Sequence, residues 1–188
     1  MKLLREELKW NNLLLPVVLL AIVVNPFYER IETSFQPLYM TAHYILVLSG
    51  ILIGNKILRE KNYYSLILGI IPIVFWHIPL YYNLAGAFVS FRALSELTLF
   101  LGGLLIGSNI NFMTNILKVG LLVVWMSFDS LLSVLLIVSW PYYSNLMYSF
   151  SPWPLDQSPI TGILMFLIMT VLLIYALIKI FKNVFKIF

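Results

Sequence analysis

Long apolar runs alternate with short polar interruptions along this chain. Six runs stand out, near residues 11–28, 38–58, 63–82, 91–110, 116–139 and 159–181. Each is long enough for a helix to cross a hydrocarbon core about 30 Å thick. The runs are continuously apolar rather than alternating, which excludes a transmembrane β-barrel. The expected fold is an all-α polytopic membrane helix bundle of about six transmembrane helices, forming a single domain over 1–188.

Charge adds an orientation. If the N-terminus is cytoplasmic, Lys2, Arg5, Lys9, Lys56, Arg59, Lys61, Lys118, Lys179, Lys182 and Lys186 lie inside, and only Arg30 and Arg92 lie outside. That bias predicts an even number of spans with both termini cytoplasmic. The first span is expected to be retained, since Glu6 and Glu7 sit in its flank and no small-residue cleavage site follows it. The expected location is the plasma membrane, multi-pass.

Composition agrees. Sixty-one per cent of the 188 residues are hydrophobic, 11% are charged and mean hydropathy is +0.94. Soluble domains carry about 25% charge. Cysteine is absent, which removes disulfides, iron–sulfur clusters and thiolate metal sites. The net charge of +4 forms no basic stripe, so no nucleic-acid partner is expected. The 140–158 loop holds Trp140, Pro141, Tyr142, Tyr143, Pro152, Trp153 and Pro154. Such residues predict a stiff loop anchored at the bilayer interface.

Two segments resemble each other. At an offset of 53, Leu48, Gly50, Leu52, Ile53, Gly54 and Ile57 match Leu101, Gly103, Leu105, Ile106, Gly107 and Ile110. Both copies contain G-x-x-x-G (Gly50/Gly54 and Gly103/Gly107), a spacing that lets another helix approach closely. A homodimer through Gly50/Gly54 is one use of such a face. His43 and Glu96 each lie two helical turns before their first glycine and share its face, as does Arg92.

Ionisable residues within membrane spans are costly, and they are candidate functional groups. With alternating helix directions, His43, His77, Arg92, Glu96, Asp156 and Gln157 all fall towards the outer side. Asp129 lies mid-helix. Plainer roles exist for each. Arg92 and Glu96 suit an i, i+4 ion pair. His77 could bond a carbonyl freed by Pro79, and His43 could bond across helices. No catalytic nucleophile, acid–base pair or nucleotide-binding glycine loop is evident, so catalysis is not expected. No cofactor is required. The two histidines are the minimum for a haem b iron, or for copper with Met40 or Met165 as a thioether donor. Asp129 and Glu96 would be the coupling groups of a small transporter.

Four short segments, in order, carry a family resemblance. Phe75-Trp-His-Ile-Pro-Leu-Tyr-Tyr82 resembles the W-H-x-P-x-x-Y element of the caa-type cytochrome c oxidase assembly factor family. Ala93 to Gly103 resembles that family's following helix. Pro154-Leu-Asp-Gln-Ser-Pro-Ile-Thr-Gly-Ile-Leu-Met165 is similar to its D-Q-x-x-A-G-x-x-M-W element, and Tyr39-Met-Thr-Ala-His43 to its H-x-x-x-H helix. The plan is also similar to that of small archaeal membrane proteins from aerobic thermoacidophiles. The resemblance implies a partner among haem-copper oxidase subunits, with this chain as an accessory or assembly protein, or as a transient copper or haem delivery factor. Departures weigh against delivery. Tyr39, Arg92 and Glu96 stand where the family has histidines, and Phe166 where it has tryptophan. The family is described with seven helices, against six runs here.

Overall fold

The computed structural model describes residues 2–3, 10–59 and 61–185, with side chains described for 13–59 and 61–178. Arg5, Lys9 and Lys186 of the charge pattern lie outside the described residues. So do the side chains of Lys2, Lys179 and Lys182.

The chain is an all-α helix bundle. In order, its elements are β1 (Lys2–Leu3), α1 (Trp10–Val23), α2 (Pro26–Glu32), α3 (Gln36–Ile57), β2 (Leu58–Arg59), α4 (Tyr63–Trp76), α5 (Pro79–Ala87), α6 (Val89–Asn109), α7 (Asn115–Ile137), a 3-10 turn (Pro141–Tyr143) and α8 (Gln157–Phe185). Four helices are long and apolar enough to cross a membrane: α3, α6, α7 and α8. Two further spans arise if each bent pair, α1 with α2 and α4 with α5, is one broken span. The chain is therefore a membrane protein with four to six spans.

The bends correct two of the expected helices. The runs at 11–28 and 63–82 are not straight. They turn by 58° and 76° where α2 and α5 begin. Pro26 and Pro79 open these short helices, and the preceding Asn25 and Ile78 are extended. Proline lacks an N–H and pushes the residue before it out of helical geometry, so each apolar run breaks there. Asn25 then caps α2 by accepting from the Phe27 N–H at 2.8 Å.

The offset of 53 governs far more than the two glycine segments. Helix starts at 10, 26 and 36 recur at 63, 79 and 89, and the α1 end at 23 recurs at 76. Residues 10–57 and 63–109 are two copies of one unit: a helix, a proline-opened short helix, then a long glycine-bearing helix. The third hairpin, α7 to α8, keeps the plan loosely, with Pro141 opening its short element.

α3 and α6 form the most extensive helix pair, and they run parallel. Gly50 lies against Phe100, Gly103 and Leu104, and Gly54 against Leu104 and Ser108. Gly103 lies against Val47, and Gly107 against Ile51 and Asn55. A Cβ at any of the four would strike backbone, so only glycine permits this approach. This contact occupies the Gly50/Gly54 face within one chain. That face is not open to a homodimer in this fold. α4 crosses α6 antiparallel, with Gly69 against Gly102. α7 and α8 pack antiparallel at Gly162 and Ser133.

The basic end and the loop end of the bundle differ in makeup. Lys2 and Leu3 pair antiparallel with Arg59 and Leu58, near Lys61 and the α6–α7 turn. The opposite end carries Arg30, Arg92 and the 140–156 loop. Residues 145–147 of that loop are exposed, but two of its aromatics turn inward. Trp153 is fully buried and Tyr143 nearly so. Trp153 sits on Gly86 and donates to the Glu32 carbonyl at 3.2 Å, plugging the helix ends.

Candidate functional site

The loop end gathers side chains from every helical hairpin. α3 begins with Gln36, which is fully buried. Its Nε2 donates to the Tyr143 carbonyl at 2.8 Å, and its Oε1 accepts from Ser158 and Thr161 on α8. Its backbone N–H donates to Gln157 Oε1 at 2.8 Å. Gln36 therefore ties the loop and α8 to α3. Sequence reading missed it, because a glutamine at a helix start resembles any polar cap.

One and two turns further along α3 come Tyr39 and His43. Their rings lie 4.4 Å apart. Tyr39 also contacts Tyr82 at 5.2 Å and Trp153 at 4.6 Å. His43 meets His77 edge to face at 5.4 Å. The structure thus brings together the two histidines that the sequence singled out. His77 does not bond the carbonyl that Pro79 frees, that of Phe75. Its Nδ1 contacts the Ile73 carbonyl, while Ile78 N–H takes Phe75. A carbonyl only accepts, so Nδ1 carries the hydrogen and Nε2 keeps a lone pair. The Tyr143 hydroxyl donates to the His77 carbonyl at 2.8 Å.

Arg92 departs from its expected pairing with Glu96. It is buried, and it donates to the Ala85 carbonyl at 3.3 Å and the Gly86 carbonyl at 2.6 Å. These are the last carbonyls of α5, which attract a cation. Its ion pair is with Glu32, at 3.9 Å. Among the described residues no ion pair joins Arg92 to Glu96, which is half-buried one turn away. Glu32, only 1% exposed, was missed because the sequence placed it in a loop. Asp156 is exposed and stands apart, while Gln157 beside it makes the contacts. Asp129 lies deeper, accepting from the Tyr44 hydroxyl at 2.6 Å.

Several buried polar atoms here have no hydrogen-bond partner. They include both Glu32 oxygens, the Tyr39 and Tyr82 hydroxyls and both His43 ring nitrogens. Leaving such atoms dry is costly, about 1–3 kcal/mol each.

Among the described residues no group of three or more His, Asp or Glu side chains converges as a metal site. The touching His43 and His77 rings leave no layer between them for a porphyrin, so a bis-histidine haem does not fit. Met40, the thioether donor offered by the sequence, is buried on α3.

No curated protein and no solved structure matches this chain. A family model does, over residues 14–183, most of the length: the chain belongs to the DUF1404 family, described as proteins of unknown function.

Proposed function

We propose that this protein is an accessory or assembly protein of a haem-copper terminal oxidase in an aerobic respiratory chain, seated in the plasma membrane with both termini cytoplasmic. It acts by association within the membrane rather than by catalysis. One observation carries the reading. The four segments that resemble the caa-type oxidase assembly factors, scattered over residues 39–165, meet at one end of the bundle. His43 touches His77 and Tyr39 touches Tyr82. Trp76 donates to Thr98 at 2.8 Å, joining the second segment to the third. Ser158 and Thr161 reach Gln36 beside the first. Segments that serve only as lipid-facing spans have no reason to converge.

The test is a mild-detergent pull-down from native membranes, with subunit stoichiometry and metal content read on one sample. Co-elution with oxidase subunits at a fixed ratio is the expected result. Retention of no oxidase subunit would overturn the reading. A second reading, transient copper delivery, draws on the Nε2 lone pair that the Ile73 carbonyl leaves on His77 beside the unpartnered His43. It predicts substoichiometric oxidase and copper on the isolated chain, lost in His43→Ala. A small transporter using Asp129 and Glu96 is the least supported alternative, since Asp129 is engaged by Tyr44.

A further inference from the structure

Six of the eight buried polar side-chain atoms without partners belong to four residues in one place: Glu32, Tyr39, His43 and Tyr82. Tyr39, His43 and Tyr82 are linked through ring contacts, with Tyr82 5.2 Å from Tyr39 and 6.3 Å from His43, and Glu32 is an electrostatic neighbour of both tyrosines. All four are at most 3% exposed.

The neighbours that face them are each engaged elsewhere as well. Arg92 directs its Nε hydrogen and one Nη2 hydrogen at the Ala85 and Gly86 carbonyls, and its Nε lies 3.9 Å from Glu32. The Tyr39 hydroxyl faces Ser95, whose own hydroxyl donates to the Arg92 carbonyl. The Tyr82 hydroxyl faces Gln36, whose amide is engaged by Tyr143, Ser158 and Thr161. Water both donates and accepts, which suits all of these atoms as a guest. A carboxyl oxygen, two phenols and an imidazole joined by such a guest are groups through which a proton moves.

The site lies beneath the Trp153 plug at the loop end, with half-buried acids at its flank. Glu29 and Glu96, both half-buried, are the electrostatic neighbours of Glu32. Tyr28, Tyr44, His77, Arg92 and Tyr143 are the further titratable and charged groups around the site. On the other side, Leu46 and Leu99 are fully buried, and the glycine contact of α3 and α6 closes the bundle.

We infer that Glu32, Tyr39, His43 and Tyr82 form a hydrated, proton-binding site that is loaded from the loop end, past the Trp153 plug, and closed towards the basic end. Loading moves one proton from hydronium to a Glu32 oxygen, forming an O–H bond and releasing water. The site does not depend on the oxidase reading: it belongs to the isolated chain.

The experiment is infrared spectroscopy of the full-length protein in liposomes, in H2O and in D2O, with proton flux across the same vesicles. A protonated carboxyl band that shifts in D2O, disappears in Glu32→Gln and moves without disappearing in Tyr39→Phe is the expected result. Tyr39→Phe removes only a hydroxyl, so it answers even if Glu32→Gln fails to fold. Flux should equal that of empty vesicles. A band unchanged by Glu32→Gln, or unmoved by Tyr39→Phe, would overturn the site. Flux above empty vesicles would overturn its one-sidedness.

Discussion

The two ends of the bundle treat their polar groups in opposite ways. At the basic end, Asn109 donates to Ser65 at 2.8 Å and accepts from the Asn62 N–H at 3.2 Å. Asn111 donates to Asn55 at 2.8 Å, and Asn62 caps α4 through the Tyr64 N–H. The amides there bond one another and the helix ends. At the loop end, the ion pair is loose and four residues keep unpartnered atoms. One pair of parallel helices, α3 and α6, spans both. The repeat explains part of the contrast. In register, Gly50 and Gly54 match Gly103 and Gly107, but Tyr39 and His43 face Arg92 and Glu96 in the alignment. The two copies stay alike where they hold the fold together and differ where polar groups remain to be used. A fully satisfied end holds structure. An end with spare donors and acceptors has capacity for a ligand.

The sharpest way to break this comparison is to part the helices that carry it. Gly103→Leu places a side chain against the Val47 backbone, which cannot move without displacing α3. Overpacking costs about 1–3 kcal/mol even where neighbours yield. Here the neighbour is backbone, so the expected outcome is loss of the cooperative melting transition in detergent. Gly120→Leu is the control, because nothing lies within 4 Å of a Cβ there. Equal melting of the two variants would show that α3 and α6 do not approach this closely.

Next in size is the plug. Trp153→Ala removes a fully buried indole and its bond to the Glu32 carbonyl. The expected loss is about 3–5 kcal/mol, read as a lower melting temperature. It should also open the loop end, so protease cleavage within 144–156 should quicken while the basic end stays protected. Uniform sensitivity at both ends would mean that the loop is not a separate cap.

Much of this was legible in the sequence, and for identifiable reasons. Apolar runs of span length reveal membrane helices directly, because lipid demands them. The glycine spacing marked two faces for close helix approach, and the fold packs them on each other. His43 and His77 were placed correctly on one side by helix direction alone. The misses share a cause. Glu32, Gln36 and Trp153 lie in short helices, helix starts or loops, where no period signals which way a side chain points. The ion pair was assigned to Glu96 by local spacing. The partner instead came from another helix, because the α5 carbonyls turn Arg92 towards Glu32. The bends at Pro26 and Pro79 were visible as prolines, but the apolar runs continued through them and concealed the breaks.

A moderate effect tests the satisfied end. Asn109→Ala leaves the Asn62 N–H and the Ser65 hydroxyl without their present partner. About 1–3 kcal/mol should be lost, again as a lower melting temperature, with no change in the carboxyl infrared band. A shift of that band would tie the two ends together and dissolve the distinction between them.

The smallest expected effect discriminates most finely. Tyr82→Phe deletes one hydroxyl that has no protein partner and leaves the ring contacts with Tyr39, Trp153 and Tyr143 in place. Were the hydroxyl dry, its removal would relieve a desolvation penalty and raise the melting temperature. A hydroxyl satisfied by water has a bond to lose, and its removal should cost about 0.5–1.5 kcal/mol. We expect the second outcome, a loss smaller than that of Asn109→Ala. The sign therefore matters more than the size. A stabilised Tyr82→Phe would mean that the loop end is merely an imperfect core, packed around polar groups it cannot use. A modest loss would mean that its open valences are filled, and that the two ends differ in what satisfies them: protein at the basic end, solvent at the loop end.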